Sequence, residues 1–135
     1  MTTPADMART YIATDDQHSL FYRDLRAALQ SADVDVVDSM ADATAIFRIS
    51  FDQTDQRVLS VSARNVPTEY EVYYTIEYAI DGVDKNLLAT QTRTLTRDYT
   101  YDSTLVLGKA QEEELLRQAI VDDLVRIVLK QISSL

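Results

Sequence analysis

The 135-residue chain contains no cysteine. Disulfides, thiolate nucleophiles, thiolate metal sites and thioether lipidation are therefore closed to the chain as it stands. Its only two glycines, Gly82 and Gly108, cannot make a G-x-G-x-x-G turn or a P-loop, which need several glycines for backbone amides to approach phosphate. The sole histidine, His18, has neither a cysteine nor a Gly-rich nucleophile elbow to work with, and it reads as a surface or capping residue beside Ser19. No run approaches the roughly 20 apolar residues that cross a bilayer, and Met1-Thr2-Thr3-Pro4 does not open a signal-peptide pattern, so the chain is expected to be soluble as given. Basic residues are also scarce: 13 against 22 acidic ones give a net charge of −9. A global field of that sign opposes nonspecific binding to nucleic acid or anionic membranes, while leaving room for a local cationic site.

What is present is the composition of a globular protein, 46% hydrophobic and 26% charged, in a length that suits one domain spanning residues 1–135. Arg9–Thr14 has strand-like content and ends at Asp15-Asp16, a turn or helix start. Phe21, Leu25, Ala28, Leu29 and Ala32 recur at spacings of four and three, which predicts an amphipathic helix of about 15 residues from Ser19. A brief strand fits Asp33–Val37, followed by a polar connection. Ala45, Phe47, Ile49 and Phe51 alternate with polar residues, and the alternation resumes at Leu59, Val61 and Ala63, as a second strand or one long strand with a bulge. A hairpin-like turn is expected at Asn65–Thr68, where Pro67 lacks a donor.

The clearest period follows: Tyr70, Val72, Tyr74, Ile76, Tyr78 and Ile80 alternate with Glu71, Tyr73, Thr75, Glu77, Ala79 and Asp81, giving one dry and one wet face. Asp81–Asn86 supplies a reversal, and a further strand runs from Leu87 to about Tyr101. From Gly108 the period becomes 3.6, with Leu116, Ile120, Leu124, Ile127, Val128 and Ile132 in one stripe. Two striped helices and a one-sided sheet predict an α+β two-layer sandwich with both helices on one sheet face.

No catalytic constellation, cofactor site or metal site is expected. Neighbouring carboxylates in Glu112-Glu113-Glu114 and Asp122-Asp123 diverge by about 100° on a helix and read as a solvated face. Tyr70, Tyr74 and Tyr78 read as core tyrosines on the face a helix covers. Tyr73, Tyr99, Arg93 and Arg97 are expected on the open side, as a surface for protein contact. Arg64, at the proline-containing turn, and Lys109, at the start of the last helix, are the cations that can clamp an anion if the fold brings them together: a guanidinium binds phosphate bidentately and an ammonium adds a mobile charge. From spacing alone the clamp signal is weak, and the two read as solvated loop cations.

The segments Asp55–Val61, Ala63-Arg64-Asn65-Val66-Pro67-Thr68-Glu69-Tyr70-Glu71, Leu95–Tyr101 and Leu105–Glu114 resemble the LptE family, the lipopolysaccharide-assembly lipoproteins of the Gram-negative outer membrane. The resemblance spans nearly the whole chain. It implies two helices packed on one face of a four-stranded, mostly antiparallel sheet, and a non-catalytic protein that plugs the LptD β-barrel, helps it assemble and binds lipopolysaccharide. By motif position, the family's basic residue before Thr-Glu-Tyr falls on Arg64 and the one before the C-terminal helix on Lys109. These cations would replace the divalent ions that bridge lipopolysaccharide phosphates. Family members are secreted and acylated on an N-terminal cysteine; this sequence shows neither feature, and is read as the soluble part of a native form anchored by lipid on the periplasmic side of the outer membrane. The rival reading is a periplasmic adaptor that binds only protein.

Overall fold

A computed structural model describes residues 3–64, 67–100 and 108–135. Its elements run β1 (Arg9–Ala13), α1 (Leu20–Ser31), β2 (Asp35–Val37), β3 (Ala45–Val61), β4 (Pro67–Gly82), β5 (Asn86–Thr100) and α2 (Gly108–Ser133), with short 3-10 turns at Ala5–Met7 and Met40–Asp42. Both helices lie on one face of the sheet, as the two periodicities require.

Helix α1 has clear local causes at each end. Ser19 caps its start by accepting from the Tyr22 N–H at 3.0 Å. At its end Asp33 takes φ 66°, the left-handed conformation, while the N–H groups of Asp33 and Val34 bond to Gln30 and Leu29 carbonyls at 3.1 and 3.0 Å. That is the Schellman pattern, and the buried pair Leu29 and Val34 supplies its apolar contact.

The sheet order is β2-β1-β3-β4-β5. This corrects the expected sheet twice. It has five strands rather than four, and β1 pairs in parallel with both β2 and β3, while β3, β4 and β5 form an antiparallel meander. Direction is set by the crossover through α1, which returns the chain to lay β2 beside β1; side-chain alternation along a strand is the same in either direction. Residues 45–61 form one long strand with register shifts at Ile49/Phe51 and near Val58–Val61, so the bulged single strand is the correct alternative. Of the expected turn, Asn65 and Val66 lie outside the described residues, as does Tyr101.

The core forms where the dry face of β4 meets the helix stripes. Val72, Tyr74, Ile76, Tyr78 and Ile80 are buried against Phe21, Leu25 and Leu29 of α1 and Ile120, Leu124, Val128 and Ile132 of α2. Among the described residues no helix covers the opposite sheet face, where polar groups satisfy one another: Thr75 with Thr94 (2.8 Å), Ser50 and Thr92 with Glu77, Arg57 with Glu71 (2.7 Å).

Candidate functional site

Buried tyrosines carry polar tips, and each tip finds a partner at the helix–sheet seam. Tyr74 donates to Asp52, which also accepts from Ser19 Oγ at 2.5 Å, tying the α1 cap to β3. Burial and the adjacent Asp52 carboxylate raise the Tyr74 pKa well above its ordinary value. Tyr78 donates to Gln131 of α2; burial raises its pKa, and the Arg93 cation works against the shift.

Register explains where the β5 side chains go. Tyr70 pairs with Tyr99, Val72 with Arg97 and Ile76 with Arg93, so Tyr99, Arg97 and Arg93 lie on the helix side. This overturns the expected open-face surface: only Tyr73 is on the open face, under the Arg57 guanidinium at 4.5 Å. Arg97 reaches α2, where its guanidinium pairs with Asp123, and the Arg93 cation lies against the Tyr78 hydroxyl. Arg93 Nε is buried without a hydrogen-bond partner. His18 is exposed, its backbone N–H donating to Asp16 at 2.9 Å.

The two singled-out cations share one end of the molecule. Arg64 is exposed in the turn after β3, its N–H donating to Ser62 Oγ at 3.2 Å. Lys109 is the second residue of α2, with its ammonium 4.7 Å from the Tyr70 ring centroid. Tyr70 follows Pro67, the first residue of β4, by three positions, or about 10 Å of extended chain. β3 runs toward this end with Val58, Leu59 and Val61, which are 44–53% exposed. The end thus carries both cationic and exposed apolar side chains.

Lys109 is held by a cluster that the spacing of cations alone did not reveal. Glu113 accepts from its ammonium at 3.0 Å and from the Tyr99 hydroxyl at 2.5 Å. Gln56, in the amide orientation that satisfies both neighbours, donates to Glu113 at 3.0 Å and accepts from Lys109 at 3.1 Å. Tyr70 and Tyr99 stack below at 5.3 Å, and burial followed by the Glu113 hydrogen bond raises the Tyr99 pKa. The legible signal was the i,i+4 spacing of Lys109 and Glu113; Gln56 and Tyr99 join only through tertiary pairing.

These features define a two-layer α+β protein with an amphiphilic, cation-bearing end, and among the described residues no helix is long and apolar enough to cross a membrane. The chain belongs to the LptE family, described as lipopolysaccharide-assembly, which matches residues 7–132. Its general role is therefore in lipopolysaccharide assembly. The fold is similar to rare lipoprotein B from Shewanella oneidensis, at 25% identity and TM-score 0.78 over 93% of this chain and 94% of that one. An uncharacterized lipoprotein B from Nitrosomonas europaea aligns at 26% identity and TM-score 0.81, covering 95% and 83%. A minor lipoprotein from Acinetobacter baumannii, at 21% identity, TM-score 0.76 and coverage of 95% and 92%, shares the fold. Among curated proteins there is no significant sequence match.

Proposed function

We propose that the protein is a non-catalytic lipopolysaccharide-binding plug and assembly subunit of the outer-membrane LptD β-barrel, acting from the periplasmic side, where a lipid anchor would hold the native form. The observation that carries this reading is the amphiphilic end: Arg64 and Lys109 lie toward the same end of the sheet as exposed Val58, Leu59 and Val61. A phosphorylated lipid presents the complementary chemistry, with anionic phosphates next to acyl chains. Arg64 and Lys109 supply positive charge to phosphates otherwise bridged by divalent ions, which loosens the packing of lipopolysaccharide aggregates without covalent chemistry.

The test is charge reversal at both positions. Arg64→Asp with Lys109→Asp is expected to abolish binding to purified lipopolysaccharide while leaving the melting temperature within about 2 °C. Full binding by the folded double variant would remove the clamp. The plug role is tested separately, by co-elution of the wild-type chain with its LptD barrel from detergent at fixed stoichiometry. A second reading, a protein-binding adaptor, draws on the uncovered polar sheet face. It predicts barrel co-elution or partner binding with no lipopolysaccharide affinity at all.

A further inference from the structure

Lys109 stands where helix physics does not want a cation. The first turn of a helix carries the positive end of the macrodipole, which favours acids there and disfavours an ammonium. The pair with Glu113 also runs in the less favourable order, with the basic residue N-terminal to the acid. The arrangement nevertheless saturates the ammonium: of its three donors, one meets Glu113 at 3.0 Å and one meets Gln56 at 3.1 Å, and the Tyr70 ring lies against it. Glu113 is fixed in turn by Tyr99, and its side chain is only 14% exposed, against 36% for Lys109. Glu112 adds a further negative charge on the same turn. An incoming phosphate therefore meets an ammonium whose field is largely cancelled by a rigidly held carboxylate.

We infer that Glu113 is a built-in competitor for Lys109, which the phosphate of a lipid head group must displace in order to bind. The inference rests on the reading of Lys109 as a phosphate-binding cation. Its consequence is release: a subunit that passes lipid onward needs a site that the ligand can leave, and an internal carboxylate returns to the ammonium as the phosphate departs. Glu113 is thus a positioning residue that sets affinity through Lys109.

The test measures binding of the full chain to purified lipopolysaccharide, to the same lipid after enzymatic dephosphorylation, and to inorganic phosphate. Glu113→Gln keeps a hydrogen-bond acceptor for Tyr99 and removes the charge. It is expected to tighten lipopolysaccharide binding by about twofold to fivefold, the scale of one partly exposed ion pair. The gain disappears with dephosphorylated lipid and in the Lys109→Gln background. Glu113→Asp, which shortens the reach by one methylene, gives a smaller gain and serves in place of the glutamine variant should that one melt early. Unchanged or weaker binding by the folded Glu113 variants overturns the inference while leaving the clamp intact. A gain that persists without Lys109, or that appears only with inorganic phosphate, also overturns it. Loss of no affinity on Lys109→Gln overturns the clamp itself, and the competitor with it.

Discussion

At the residue scale, the tyrosine hydroxyls carry the most specific consequences. Tyr74 joins Asp52 and accepts from the Phe21 N–H at 3.3 Å, so Tyr74→Phe leaves a half-buried carboxylate oxygen and a buried amide short of a partner. The expected cost is about 1–3 kcal/mol, read by urea denaturation. Tyr74 and Tyr99 both hold their protons more tightly folded than unfolded. The sign follows directly: below the unfolded value of about 10 the two states bind the same protons and stability is intact, and above it the unfolded chain ionises first and stability falls. Melting temperature is expected to drop steeply above about pH 10, and the drop is shallower in Tyr99→Phe. A profile for that variant identical to wild type would mean that Tyr99 ionises as freely folded as unfolded.

At the scale of elements, β4 is the strand the rest depends on. Ile76 is fully buried between the helices and the sheet, and Ile76→Asp is expected to cost about 3–5 kcal/mol as an unpaired buried charge, enough to abolish the thermal transition in circular dichroism. The end of α1 offers the opposite case. Asp33 pays a steric penalty at φ 66°, so Asp33→Gly is expected to stabilise by a few tenths to about 1 kcal/mol, measured as a rise in the urea midpoint.

These elements also show what a sequence can express. The dry face of β4 and the stripe of α2 were legible because burial on one side leaves a period in the residues themselves. The parallel placement of β1 was not, because Thr10 and Ile12 alternate identically whichever way their neighbours run. Arg93, Arg97 and Tyr99 were misplaced for a related reason. Their polar heads suggested water, yet register fixes Tyr99 opposite Tyr70, Arg97 opposite Val72 and Arg93 opposite Ile76 on the helix side, where Arg97 finds Asp123. Arg64 and Lys109 were found by type and position, whereas Glu113, Gln56 and Tyr99, which decide how free the Lys109 charge is, come together only in three dimensions.

At the scale of the whole molecule, charge governs encounter. A protein of net charge −9 approaching phosphorylated lipid is repelled at long range and attracted only near its two cations. Salt screens the first effect beyond about 8 Å at physiological ionic strength. The association rate with lipopolysaccharide vesicles is therefore expected to rise between about 10 and 150 mM salt in stopped-flow measurements, the reverse of what a polybasic lipid binder shows.

The mixed sheet also fixes an order of assembly. In the meander each strand meets its neighbour through a nearby turn, Asp81 opposite Asn86 and Val61 opposite Pro67, whereas Thr10 must find Ala45 across a helix and a second strand. Loop closure of that length is slower and is rewarded only once β3 is in place to receive β1. The edge of β1 that faces β3 is accordingly expected to be paired late, after the meander has formed. Until the meander has closed, that unpaired edge is where an escort protein could hold the chain by adding a strand to it.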